Sequence, residues 1–274
     1  MPEGPSIVIL REQAAKFTGK VIRAAEGNGK IDKAPLVGQR IVALHSFGKQ
    51  FLIETPVATV RIHLLMFGSY RIDERIDRPP RLRLKFARGE LNFYSCSVRY
   101  LDAPIDELYD WRSDVMSDCW DPRLALRRLR AQPRTLVCDA LLDQAIFAGV
   151  GNIIKNEVLF RIRVHPLSTI GALPARKLRE LVAQAREYSF DFYEWKKRFV
   201  LRKHWLAHNK SICPRDGVKF TRAYLGERDR RTFYCEICQR RYCAPVRGEA
   251  ADATLQSKPS AKITSPAPRK AGYQ

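Results

Sequence analysis

The chain has 274 residues, 45% of them hydrophobic, and its 49 Lys and Arg outnumber its 29 Asp and Glu for a formal charge of +20. That length accommodates one or two cored domains and a small module. No stretch approaches the roughly 18 unbroken apolar residues of a membrane span, and the first ten residues lack the basic start, apolar run and small-residue cleavage site of a signal peptide, so a cytoplasmic, nucleoid-associated location is expected.

In chain order, Ile7, Leu10, Ala14 and Phe17 form a helical stripe closed by Gly19, with Ser6 as a candidate cap. From about residue 20 to 102 the apolar period becomes two: Val42 and Leu44; Phe51 and Ile53; Val60, Ile62 and Leu64; Leu82, Leu84 and Phe86. This pattern predicts an antiparallel sheet domain, with hairpin turns at Ser46-Phe47-Gly48 and Arg88-Gly89-Glu90. Beyond Trp120 strand signals stop. Asp121-Pro122 is a cap with proline at the first helical position, and helices are predicted over 135–148, 152–161 and 174–204. Residues 209–243 carry cysteines among alternating aromatics and read as a β-ribbon, whereas 244–274 turn to Ala, Ser, Pro and Lys and read as a disordered basic tail. The fold class is α+β and multidomain, divided at 1–118, 119–208, 209–243 and 244–274.

A charge of +20 marks a polyanionic partner, because each neutralised phosphate releases condensed counterion. Nucleic acid leads and an anionic membrane surface trails; repair enzymes, RNA binders and architectural proteins share this charge. Seven cysteines, an odd count, suit buried filler or metal ligation in a reducing compartment.

Four segments carry chemistry. Met1-Pro2-Glu3-Gly4-Pro5 would expose a secondary amine at Pro2 once Met1 is removed, and such an amine can form a cationic iminium with a sugar C1′. Its reference pKa near 7.7–8.0 leaves a useful neutral fraction, and Glu3 beside it suits general acid and base work. The same five residues are equally an ordinary stiff start. Lys49 lies in a glycine turn between apolar strands, otherwise a plain surface lysine. Asp143 to Phe160 includes Gly149-Val150-Gly151-Asn152, glycines that let the backbone approach a phosphate and an asparagine that presents its amide or merely caps the next helix. Cys213 and Asp216, followed by Cys235 and Cys238, have the spacing of a ribbon zinc site, with His208 and, less favoured, Cys243 as rivals for the fourth ligand.

Together these segments resemble the Fpg/Nei family (formamidopyrimidine-DNA glycosylase and endonuclease VIII) over nearly the whole chain to about residue 243. The resemblance implies an N-terminal helix with an antiparallel β-sandwich, a helix-two-turns-helix domain and a zinc-finger ribbon. It implies Pro2 as the Schiff-base nucleophile, Glu3 as proton donor and Lys49 as the hairpin lysine beside the lesion phosphate. Asn152 and Arg230 become phosphate contacts on damaged double-stranded DNA. Leu65, Met66 and Phe67 align with the loop that fills the hole left by a flipped base, although core packing of one or two of them competes. The implied activity is base excision with β,δ-elimination by a monomer, needing one structural zinc and no small-molecule cofactor.

Two features depart from the family. Asp216 stands where it usually has cysteine, and Ser6 where it commonly has glutamate. Residues 174–212 contain no glycine, leaving little room for the glycine-bearing lid of the purine-specific branch. Oxidised pyrimidines are therefore the expected substrate, with oxidised purines as the alternative. A non-catalytic zinc-ribbon protein that binds nucleic acid is the competitor from another class.

Overall fold

The computed structural model describes residues 2–243; the predicted tail, 244–274, lies outside them. Helix α1 (Gly4–Ala14) starts directly after Glu3, with Pro5 pre-setting its first turn, and a 3₁₀ turn carries it to Phe17. Ile7, Leu10, Ala14 and Phe17 are fully buried, the stripe that the sequence predicts. Ser6 is not the cap. It sits buried inside the first turn, because the helix begins earlier than its apolar stripe and the N-cap is Glu3.

Two four-stranded antiparallel sheets follow. The strands are β1 (Ala24–Glu26), β2 (Ala43–Phe47), β3 (Gln50–Glu54), β4 (Thr59–His63), β5 (Ser69–Ile72), β6 (Leu82–Lys85), β7 (Glu90–Tyr94) and β8 (Ser97–Tyr100), ordered β1-β6-β7-β5 and β2-β3-β4-β8. Alternation places Phe51, Ile53, Val60, Ile62, Leu82 and Leu84 in one core fed by both sheets, where the rings of Phe51 and Phe93 meet at 5.9 Å. The tight turn at Gly48-Lys49 joins β2 to β3 in the register Phe47 opposite Gln50.

After a short helix α2 (Ile105–Leu108), the helical half comprises α3 (Pro122–Arg130), α4 (Val137–Ala140), α5 (Asn152–Arg161) and α6 (Ala175–Lys197). Asp121 caps α3 by accepting from the Arg123 N–H at 2.8 Å, with Pro122 in the first turn. The helix predicted over 135–148 is reduced to α4, four residues long. Side chains replace helical backbone bonds beyond it: Asp143 accepts from the Ala145 N–H, while the Gln144 amide donates to the Leu142 and Val150 carbonyls and accepts from the Gly149 N–H. Residues 141–151 thus stay mostly buried without being helical, which produced the misleading apolar recurrence.

Helix α6 ends in a Schellman motif. The Val200 N–H donates to the Trp195 carbonyl at 2.9 Å, the Phe199 N–H donates to the Lys196 carbonyl at 3.1 Å, and Phe199 has φ 59°. A residue without positive-φ freedom therefore occupies the position that glycine usually fills, at a cost of about 1–2 kcal/mol. The ribbon consists of β9 (Thr221–Leu225) paired with β10 (Arg230–Tyr234), on a small core of Phe160, Ala207, Cys213, Phe220 and Cys235.

Candidate active site

The site lies where the sheets meet the helical half. Gly4 donates its N–H to the Gly149 carbonyl at 2.9 Å, and a Cβ on Gly4 would stand 2.8 Å from the Gly149 Cα. The Gly48 turn packs on the same segment: a Cβ there would meet the Gly149 nitrogen at 3.0 Å. Glycines from three distant segments thus bring the chain start, the hairpin turn and the 149–151 corner into backbone contact.

Glu3 is fully buried. Its carboxylate accepts from the Gly151, Ile153 and Ile154 N–H groups at 3.1, 2.7 and 3.2 Å, so it caps α5 from outside the helix. Gly151 is required beneath it, since a Cβ would lie 2.4 Å from the Glu3 carboxyl carbon. Burial raises the Glu3 pKa, against the opposing pull of Lys49 and two of those backbone donors. The structure thereby sets aside the simple-cap reading of Asn152. That residue opens α5, donates its amide to the Arg231 carbonyl at 2.9 Å, and leaves its buried Oδ1 without a hydrogen-bond partner.

Half-buried Pro2 lines a cavity of about 460 Å³ together with Lys49, Asn152, Arg228 and Arg230. Burial lowers the Lys49 pKa, Glu3 raises it, and Arg230 and Arg228 lower it further. Such crowding of cations is tolerable where an anion is to be received. Leu65, Met66 and Phe67 are 50%, 50% and 81% exposed on the loop between β4 and β5, so none of the three is core; Leu64 takes that role. Gly68 closes the loop by donating to the Leu64 carbonyl at 2.7 Å, where a Cβ would collide with that oxygen.

Sequence reasoning missed the residues that aim these groups. Asp114 accepts from the Gly48 N–H at 2.9 Å and from the Met116 N–H at 2.9 Å, pinning the Lys49 turn, and burial pushes its pKa up to about 6. Asp139 on α4 accepts from the Glu227 and Arg228 N–H groups, holding the ribbon turn that carries Arg228 and leads into Arg230. Lys155, fully buried on α5, donates to the Thr232 hydroxyl at 2.7 Å, and burial lowers its pKa to about 8. Isolated aspartates in loops carry no spacing signal, although the lysine stands inside the Asp143 to Phe160 motif.

In the ribbon, ligand atoms of Cys213, Asp216, Cys235 and Cys238 all lie within 4.8 Å of one another. Cys213 and Cys238 sulfurs are 3.9 Å apart, and Asp216 Oδ2 is 3.3 and 3.1 Å from the Cys213 and Cys235 sulfurs. Tetrahedral zinc with thiolates at 2.3 Å and carboxylate oxygen at 2.0 Å requires edges of about 3.8 and 3.5 Å, so this donor set fits a metal ion. His208 is corrected as a rival ligand: its Nδ1 lies 3.2 Å from the Asn156 amide, and burial lowers its pKa to about 4. Exposed Cys243 also stands outside the cluster.

Pro2, the Lys49 turn, the helical corner at Asn152 and the arginines of the cysteine ribbon thus line one cationic cavity. Residues 1–103 match the formamidopyrimidine-DNA glycosylase N-terminal domain and residues 114–188 the formamidopyrimidine-DNA glycosylase H2TH domain. The chain is 30% identical to endonuclease 8-like 3 of Xenopus laevis over 84% of its own length, and 36% identical to endonuclease 8-like 2 of Bos taurus over 65%. It spans 39% and 57% of those two proteins. The fold superposes on Lactococcus lactis formamidopyrimidine-DNA glycosylase, crystallised with DNA containing an abasic site, with a TM-score of 0.76 at 21% identity, covering 87% of this chain and all of that one. The chain belongs to the Fpg/Nei family.

Proposed function

We propose that the protein is a bifunctional DNA glycosylase and abasic-site lyase of base excision repair, acting on oxidised pyrimidines in duplex DNA. The observation that carries this reading is the convergence of Pro2, Lys49, Asn152 and Arg230 on one cavity from four distant segments, with Glu3 buried behind them. Cations hold the phosphates flanking the lesion while Leu65, Met66 and Phe67 enter the stack and the nucleotide swings out. The neutral Pro2 nitrogen attacks C1′ as Glu3 protonates the ring oxygen and the sugar opens. The proline N–H proton then passes to the base, whose glycosidic bond breaks with its electron pair leaving on the base, and C1′ is left as the iminium of Pro2. The resulting iminium acidifies C2′; loss of that proton expels the 3′ phosphate, and a second elimination expels the 5′ phosphate. Zinc held by Cys213, Asp216, Cys235 and Cys238 would be structural, stiffening the ribbon that carries Arg230. The protein acts as a monomer in the compartment that holds the DNA.

Borohydride trapping on a duplex with an abasic site tests the lyase. A covalent protein–DNA adduct is expected; its absence would leave a nucleic-acid binder without chemistry. A panel of thymine glycol, dihydrouracil and 8-oxoguanine tests the branch, with preferential release of 8-oxoguanine overturning the pyrimidine assignment.

Two further results are expected. Lys49→Ala and Asn152→Ala weaken binding to damaged duplex, and Lys49→Ala also flattens the plot of log affinity against log salt by about 0.9. An unchanged slope removes Lys49 from the phosphate contacts. Metal analysis should find one zinc per chain, diminished by Cys235→Ser and Asp216→Ala but not by His208→Ala; the reverse order of the last two would reassign the fourth ligand.

A further inference from the structure

Pro2 sits between two cavities. On one side is the cationic cavity already described. On the other is a larger one of about 1020 Å³, whose wall includes Ser6, Gln13, Tyr70, Lys196 and Phe199. Met66 and Phe67 of the wedge loop stand at its edge. With the sugar C1′ at Pro2 and its phosphates toward Lys49 and Arg230 in the first cavity, the second cavity is the space left open to the extruded base.

The chemistry of that wall is directional. Tyr70 donates its hydroxyl to Gln13 Oε1 at 2.8 Å, so the amide turns its Nε2 donor away from the tyrosine. Lys196 brings an ammonium, which only donates; burial lowers its pKa, and the Glu3 carboxylate opposes that. Phe199 is 96% exposed and held in the left-handed region at the Schellman position. An unburied aromatic in a conformation that phenylalanine disfavours is an outlier that packing does not explain. Its ring is available to a planar partner. The end of α6 is fixed against α1 by Glu12, which accepts from Tyr193 and Lys197, so Lys196 and Phe199 keep their spacing to Gln13.

We infer that Gln13, oriented by Tyr70, and Lys196 recognise the carbonyl edge of an extruded 2,4-dioxo pyrimidine whose face rests on Phe199. The inference rests on the base-excision reading and adds the substrate class to it: oxidised uracil and thymine derivatives, rather than bases that turn an exocyclic amine to the same wall. Tyr70 is a positioning residue here. Without its hydroxyl, Gln13 is free to turn either end of its amide to the base.

The matched pair 5-hydroxyuracil and 5-hydroxycytosine differs at C4, carbonyl against amine, and with it at N3, N–H against lone pair, and separates the possibilities. The measurement is single-turnover base release by the full chain with its native N-terminus, divided by the rate of cleavage at a preformed abasic site in the same duplex context. Wild type is expected to favour 5-hydroxyuracil. Lys196→Met lowers the normalised rate on 5-hydroxyuracil by about tenfold to a hundredfold, as for loss of a charged hydrogen bond, and Lys196→Arg restores much of it. Phe199→Ala lowers both bases about tenfold. Tyr70→Phe and Gln13→Glu shift the ratio between the two bases toward 5-hydroxycytosine. An unchanged ratio in those two variants, or a normalised rate unmoved by Lys196→Met and Phe199→Ala, overturns the inference while abasic-site cleavage still stands. Loss of abasic-site cleavage in wild type overturns the underlying reading instead.

Discussion

Extending the chain by one residue ahead of Pro2, or retaining Met1, is expected to reduce both base release and borohydride trapping to background while duplex binding is kept. An acylated proline nitrogen is an amide, its lone pair delocalised into the carbonyl, and cannot attack C1′. The cations that would hold the phosphates are unaffected, since Lys49, Arg228 and Arg230 come from other segments. Pro2→Gly, processed to a free primary amine, should still trap, but more slowly. Mass analysis of the reduced adduct locates the attachment. If the blocked protein traps as well as the native one, the nucleophile is a lysine. Lys49 would then be the candidate, because the Lys155 amine is fully buried and bonded to Thr232.

Most of the architecture was legible because period and punctuation agree with it: the α1 stripe, the alternating strands, the Asp121-Pro122 cap and the cysteine pairs are local signals. The failures share a physical origin in long-range polar contacts. Ser6 looked like a cap because capping residues are recognised by type, yet Glu3 already occupies the N-cap of α1 and turns its carboxylate to a helix some 150 residues away. The same carboxylate does for α5 what the alternative, capping reading gave to Asn152. Residues 135–148 looked helical because buried coil stabilised by Asp143 and Gln144 leaves the same apolar spacing as a buried helix. Phe199 was visible only as the absence of glycine from 174–212; that a phenylalanine takes the left-handed cap is a fact of backbone geometry. Spacing placed Asp216 in the ligand set and left His208 as its rival, and the fold separates them by packing His208 against Asn156.

The buried carboxylates show how the groove is assembled. Glu3 orders the start of α5, Asp114 the Lys49 turn and Asp139 the turn below Arg230, each by accepting backbone N–H groups of the segment it holds. A protein of net charge +20 thus spends buried acids on placing its phosphate-binding elements, and their positions do not depend on the bound anion.

Of these acids only Glu3 adjoins the proposed nucleophile, and Glu3→Gln is expected to lower base release about 10²–10⁴-fold, the range for losing a general acid. Glutamine keeps the shape but sets an NH₂ against backbone donors that now meet carboxylate oxygens, so a stability loss of about 1–3 kcal/mol should accompany it. A thermal or denaturant midpoint measured beside the kinetics separates the two effects, because a fold that remains intact at the assay temperature cannot account for the larger one. The pH dependence gives a sharper signature. Burial raises the Glu3 pKa, so the acid form persists to higher pH than for an exposed glutamate, and base release should fall as pH rises through that raised value. The linked stability has the same sign: the folded chain binds this proton more tightly than the unfolded chain, so the contribution is fully present below the unfolded pKa and is lost as pH rises through the folded one. Glu3→Gln should remove the alkaline limb from the base-release profile while leaving the acid limb, which belongs to protonation of the Pro2 amine. Persistence of the alkaline limb in Glu3→Gln would assign the proton donor to another group.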